Sequence, residues 1–270
     1  MYIFMSVESI SVEVTKMLVF SDVEMWKVCE KLVDEFRPDI VVLAGDLVWD
    51  GGLSFWLKQY GIEREEHVSE FYGFLEYASR NSNVLVVKGN HDVDFKGDYS
   101  VERINSIPGC REISGRIVEV KGLRFLGLGT DELASLRRLK PLIEKFKGKV
   151  DVAVMHGPRL QLVSQLKPKL IIRGGYGFGK HIADCVPCVF NNHGVVTTVE
   201  LENGGLPKII QYRIANRIQT FTQLRIILEE YPSVPQRNEW IKPYPETSPF
   251  GRRIIIHIPI KNPSRIGALL

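Results

Sequence analysis

The sequence predicts a mixed α/β fold, and three observations carry that expectation. Apolar runs alternate with helix-period segments across residues 17–92. Two stretches in the second half alternate apolar and polar residues, turn at glycine and alternate again. A chain of 270 residues with 44% hydrophobic content also has the material to bury a sizeable core.

In chain order, residues 1–16 alternate apolar with polar and carry Glu8 and Glu13, so no secretory signal is expected there. MLVFSD, Met17 to Asp22, is a short apolar run closed by a polar residue. EMWKVCEKLVDEF then sets Met25, Val28, Leu32, Val33 and Phe36 at helical spacing, and Pro38 stops the helix. DIVVLAGD, Asp39 to Asp46, repeats the pattern of run and aspartate. Residues 64–80 read as a second helix with Val68, Phe71, Tyr72 and Leu75 on one side. NVLVVKGNHD, Asn83 to Asp92, is a third strand with a polar tip. Such strand–helix units predict parallel strands covered by helices, and runs such as IVVL and VLVV suit strands buried on both faces.

RIVEVKGLRFLGLG and VVTTVELENGGLPKIIQYRI are the two expected hairpins. Between them lie a helix at about 132–147 and the strands DVAVMHG, KLIIR and VPCVF. The expected domain covers residues 1–214. Residues 215–270 form an extension packed on it: a helix at IQTFTQLRIILEE, a proline-spaced segment from Tyr231 to Pro249, the strand RRIIIHIPI and a basic tail. The extension leaves self-association and the shaping of a substrate cleft open.

Composition narrows the function classes. A net charge of +3 is too small to imply nucleic-acid or membrane affinity across the whole chain. The extension and the residues just before it carry Arg213, Arg217, Arg225, Arg237, Arg252, Arg253 and Arg265, diluted by Glu229, Glu230, Glu239 and Glu246. A solvated face is the better expectation there, with a nucleic-acid partner as the weaker alternative. No apolar run approaches the ~18 residues that span a bilayer, so a cytoplasmic protein is expected. Four cysteines are too few for a disulfide scaffold. Cys185 and Cys188 form one CxxC flanked by His181 and His193, a spacing open to zinc or redox chemistry. Because VPCVF reads as a strand, buried structural cysteines are expected.

The strand ends concentrate polar groups: Asp22 and Glu24; Gly45, Asp46 and Asp50; Gly89, Asn90, His91 and Asp92; His156 and Gly157. Ligands bind beyond the carboxyl ends of strands in open α/β sheets. Any one of these aspartates could be a helix cap, but a cluster of them repels itself unless a cation neutralises it. A divalent metal is the economical expectation.

This order of elements (strand–D, strand–GD, strand–GNHD, strand–HG) resembles the calcineurin-like metallophosphoesterases over about residues 16–214. The resemblance implies a sandwich of two mixed sheets flanked by helices, with a binuclear site at one edge that hydrolyses a phosphate mono- or diester. It also implies that Asp46 bridges two ions, that Asp22 belongs to the first, and that Asn90 and His156 belong to the second. His91 would protonate the departing oxygen while Asp92 orients its ring.

The chain departs from the family pattern at three imidazoles. The D-x-H element is Asp22-Val23-Glu24, and the G-H-x-H element falls on Gly174-Gly175-Tyr176-Gly177. With Glu24 in the set, the ligands are oxygen-rich, which favours Mn²⁺ or Mg²⁺ over Zn²⁺ or iron. Two expectations follow: a phosphoesterase with a weakened or single-ion site, or a binding protein that keeps the fold without turnover. Arg173 and Tyr176 offer direct phosphate contacts, and Trp49, Phe55 and Trp56 a stacking surface or core.

Overall fold

The computed structural model describes residues 14–23, 25–48, 63–92, 98–175, 179–183, 186–190, 195–202, 205–220, 223–230 and 253–259, with residues 179–183, 190, 213–220, 223–230 and 253–259 as backbone alone. The chain begins with β1 (Val14–Phe20), α1 (Trp26–Phe36), β2 (Ile40–Ala44), α2 (Arg64–Ala78) and β3 (Asn83–Val87). These three strands run parallel, with Met17 beside Ile40 and Ile40 beside Asn83. A short helix α3 (Val101–Ser106) leads to β4 (Cys110–Glu112), parallel to β3.

The second sheet starts with the hairpin β5 (Ile117–Val120) and β6 (Leu123–Leu128), which turns at Lys121-Gly122 as the sequence predicts. Then come α4 (Thr130–Ala134), α5 (Leu136–Phe146), β7 (Val152–His156), α6 (Leu160–Val163), a 3₁₀ turn at Ser164–Leu166, and β8 (Leu170–Gly174). The single helix expected at 132–147 is thus two, broken at Ser135, whose extended backbone (φ −125°) ends one and starts the next. β9 (Gly179–Ala183) and β10 (Val186–Phe190) complete this sheet. The chain then returns to the first sheet with β11 (Val195–Glu202), β12 (Lys208–Thr220), β13 (Gln223–Glu230) and β14 (Arg253–Pro259).

Among the described residues the first sheet has eight strands, ordered β14-β13-β12-β11-β1-β2-β3-β4, and the second has six, ordered β5-β6-β7-β8-β10-β9. Both mix parallel and antiparallel pairs, so the expected pair of mixed sheets flanked by helices is the architecture found.

Strand periodicity explains the layering. In β2, Val41 and Leu43 join the core under α1 and α2, while Ile40, Val42 and Ala44 join the core between the sheets. Each of these side chains is removed from water, so the run is apolar on both faces because both are covered. Under the helices, the Trp26 ring lies 5.2 Å from that of Phe71 and 4.9 Å from that of Phe74. Contacts of this kind add about 0.5–1.5 kcal/mol each beyond area burial. A third core joins the outer face of the second sheet to α4, α5 and α6 through Leu126, Leu139, Ala153, Met155, Val163 and Ile171.

The helix expected at IQTFTQLRIILEE is a correction. Its described residues form the end of β12 and all of β13, an antiparallel pair that sets Ile214 opposite Leu228 and Ile218 opposite Leu224. The segment is rich in β-branched Ile and Thr, which pack well on a pleated surface, and β11 offers β12 an edge to pair with. Propensity and an available edge outweigh a spacing that fits a helix and a strand alike. β12 runs through position 214 without interruption, and β14 is the strand expected at RRIIIHIPI.

Candidate metal centre

Three aspartate- and histidine-bearing strand ends meet at one rim of the two sheets. Asp22 follows β1 and Asp46 follows β2, adjacent parallel strands of the first sheet. His156 is the last residue of β7 in the second, beside Gly174 at the end of β8. Asp22 and Asp46 both adopt left-handed backbone, at φ 54° and 57°. Aspartate tolerates that region better than most residues, and it folds each loop back over the strand ends. The two loops zip together, Asp22 N–H donating to the Gly45 carbonyl and Val23 N–H to that of Asp46.

The side chains converge as a result. One ligand atom from each of Asp22, Asp46 and His156 lies within 4.8 Å of the other two. The His156 ring is held by Nδ1–H donating to the Ala44 carbonyl at 2.7 Å, which aims Nε2 at Asp46 Oδ2, 3.1 Å away. Asp46 Oδ1 accepts the His91 backbone N–H at 2.9 Å. Asp22 Oδ2 accepts from the Ser21 hydroxyl and, at 3.1 Å, from the Gly175 backbone N–H. Ligands about 2.1 Å from one ion stand roughly 3–4 Å apart, and the Nε2–Oδ2 pair at 3.1 Å has that spacing; two carboxylates and an imidazole are a donor set that suits a divalent cation. The groups that orient such side chains, a carbonyl on the imidazole and N–H groups on the carboxylates, are in place.

Electrostatics agree with a site built for a cation. Burial disfavours charge on His156, but the Asp46 hydrogen bond, the charges of Asp46 and Asp22 and the Ala44 carbonyl outweigh it and push its pKa up to about 9. Burial alone would raise Asp46; the His156 hydrogen bond and charge and the His91 N–H hold it below the usual carboxylate range. Asp22 moves the other way. Its burial and the neighbouring Asp46 charge outweigh the Ser21, His156 and Gly175 contributions and raise it. Two carboxylates and one imidazole thus share a proton's worth of positive charge in a cramped space, and the imidazolium supplies it.

Glycines make the convergence possible. A Cβ on Gly174 would lie 1.8 Å from the Ala44 carbonyl oxygen and 2.3 Å from Ser21 Oγ. On Gly45 it would lie 2.4 Å from His156 Nδ1. Strand ends of two sheets can approach this closely only where side chains are absent. At Gly175 (φ +92°) a Cβ would lie 3.3 Å from His156 Nε2, so the position where the resemblance expects an imidazole does face the cluster.

The expected residues are placed as follows. Asp22, Asp46 and His156 come together. Asn90 is exposed, in a loop whose neighbours touch Asp46: His91 through its N–H, and Gly89, where a Cβ would strike Asp46 N at 2.1 Å. His91 is half-buried beside it. Asp92 is fully buried, but its hydrogen bonds run to the backbone N–H groups of Asp46, Leu47, Val48 and Gly89 and not to the His91 ring. Glu24, Trp49, Asp50, Phe55, Trp56, Tyr176, Gly177, Cys185 and His193 lie outside the described residues, as does the side chain of His181. Arg173 shares the outer face of its sheet with Ile171 and stands beside Met155, opposite to the face of His156. Cys29, Cys110 and Cys188 are buried and form no disulfide among the described residues. Sequence reasoning passed over Ser21 and the Gly175 N–H, two groups that hold Asp22; the adjacent Ser-Asp pair is the signal for the first.

The profile of calcineurin-like phosphoesterases matches residues 15–184. The chain belongs to the calcineurin-like phosphoesterase family. Its members are metal-dependent phosphoesterases, and the cluster just described sits within the matched span. One crystal structure shares 15% identity over 73% of this chain and 98% of its own, with a TM-score of 0.53. TT1561 of Thermus thermophilus shares 15% identity over 71% of this chain and 99% of its own, at a TM-score of 0.49. The calcineurin-like phosphoesterase YfkN from Bacillus subtilis shares 12% over 73% and 88%, at 0.39. The first of these is a likeness of fold. No curated protein matches the chain. No described helix is long and apolar enough to cross a membrane.

Proposed function

We propose that the chain hydrolyses a phosphate mono- or diester at a divalent-metal site centred on Asp22, Asp46 and His156. The observation that carries this reading is their meeting: three ligand atoms from three strand ends, in two sheets, lie within 4.8 Å of one another. In this reading Asp46 stands where two ions would share it, Asn90 helps hold the second, and Glu24 adds to the first. An oxygen-rich set of this kind favours Mn²⁺. Glycine in place of imidazole at position 175 makes the site weak or single-ion. The cytoplasmic placement expected from the sequence belongs to the same reading, and cell fractionation tests it.

A bound divalent ion would supply charge neutralisation for the phosphate oxygens and a more acidic water. The protein's own groups do the rest. His156, pinned by Ala44, presents Nε2 without rotating. Asp46 is fixed on one oxygen by the His91 N–H, which leaves the other turned toward His156 and the shared space. The half-buried His91 imidazole is the group assigned to protonate the departing oxygen, since an imidazole nitrogen can both hold and release a proton.

The test is Mn²⁺ calorimetry together with hydrolysis of p-nitrophenyl phosphate and bis(p-nitrophenyl) phosphate by the parent, Asp46→Ala and His91→Ala. Saturable Mn²⁺ binding with turnover lost in both variants supports the reading. The glycine at 175 favours a second one, a non-catalytic member of the fold that binds a ligand. Metal binding without turnover in the parent would establish that alternative. No Mn²⁺ binding at millimolar concentration removes the metal site.

A further inference from the structure

We infer that Asp92 is the positioning residue for Asp46, gripping the main chain that carries it and so fixing where its carboxylate is presented. This deepens the metal-site reading and rests on it for its functional consequence.

Asp92 is fully buried. Its Oδ2 accepts N–H bonds from Asp46 at 2.8 Å and Gly89 at 2.7 Å, and its Oδ1 accepts from Leu47 and from Val48 at 2.9 Å. Three consecutive N–H groups, those of residues 46–48, therefore converge on one carboxylate. Asp46, in left-handed backbone at φ 57°, stands at the start of this turn. The result is a backbone concavity for an anion, filled by the protein's own side chain. Asp46, Leu47 and Val48 are all buried, so without Asp92 their N–H groups would have no solvent to turn to.

The arrangement is reciprocal. Asp92, from the loop after β3, binds the main chain after β2; Asp46, from the loop after β2, binds the His91 N–H after β3. Two carboxylates cross-brace the two loops, and one of them is a candidate ligand. Moving Asp92 moves Asp46, and with it the oxygen that faces His156. A neutral amide cannot replace Asp92, because its NH₂ would meet N–H donors head on.

The test uses the full chain as Asp92→Asn and Asp92→Glu, with Leu126→Ala, in the core on the far face of the second sheet, as a control for lost stability. Amide hydrogen exchange by NMR and the His156 Nε2 shift are read without metal, and Mn²⁺ affinity by calorimetry. Expected for Asp92→Asn are lost protection at the amides of Asp46, Leu47, Val48 and Gly89, a displaced His156 signal, and about 10–100-fold weaker Mn²⁺ binding. Leu126→Ala keeps the parent's affinity and the His156 shift. If Asp92→Asn does not fold, Asp92→Glu decides, since it keeps the charge but moves the oxygens by one methylene. A folded Asp92 variant with the parent's His156 shift and Mn²⁺ affinity overturns the inference. Should the parent bind no Mn²⁺, the metal reading fails, and the positioning role stands or falls on the amide and His156 signals alone.

Discussion

The buried Asp46–His156 pair makes the metal-stripped protein lose stability as the solution becomes alkaline. His156 is 2% exposed, and its pKa is raised from an ordinary 6.5 to about 9, so folding takes up a proton on this ring at intermediate pH. A raised histidine pKa contributes stability that is fully present below about 6.5 and lost as pH climbs through about 9. At 1.36 kcal/mol per pH unit, the shift amounts to about 3 kcal/mol. Urea denaturation of the stripped protein at pH 6 and pH 9.5 reads the difference directly, and His156→Asn serves as the reference. The parent should lose about 3 kcal/mol more than the variant across that interval. Mn²⁺ should reverse the trend, because a metal takes Nε2 without its proton and so binds more tightly as pH rises. Equal losses in parent and variant would refute the reasoning, since the pair would then carry no proton of consequence.

Gly174→Ala places a methyl 1.8 Å from the Ala44 carbonyl, a backbone atom that cannot swing aside. The expected cost is about 3 kcal/mol, read in calorimetric melting as a Tm lower by about 6–12 °C. Gly175→His puts an imidazole at a position that faces His156 Nε2. Positive φ costs it about 1–2 kcal/mol of stability, while Mn²⁺ binding by calorimetry should tighten. His91→Ala should keep Mn²⁺ affinity and lose about 10²–10⁴-fold in kcat on p-nitrophenyl phosphate.

Much of the candidate site was legible because the residues that converge there are side chains at the ends of apolar runs. VFSD, VLAGD and VVKGNHD announce strand and polar tip together, and VMHG supplies the imidazole. What holds those ligands in place was not legible, because it is largely main chain. The partners of Asp92 are four N–H groups, which leave no mark on residue identity, so its role as an orienter of His91 was a natural expectation and a different one from its contacts. The Gly175 N–H on Asp22 is invisible for the same reason. In the fold, the strands buried on both faces read clearly from continuous apolar runs. The segment from Ile218 to Glu230 did not, because its apolar residues satisfy both periods and pairing between distant segments decided between them.

β1 sits between two neighbours of very different age in the growing chain. On one side Met17 meets Ile40 of β2, and on the other it meets Val199 of β11. The first contact forms locally. The second closes a loop over most of the protein, the kind of pairing that slows folding most. As the chain leaves the ribosome, Asp22 and Asp46 emerge early, on a single β–α–β unit, while His156 is still unmade. On the proposed reading, a site that needs all three residues is complete only after β7 has been synthesised and the two sheets have docked.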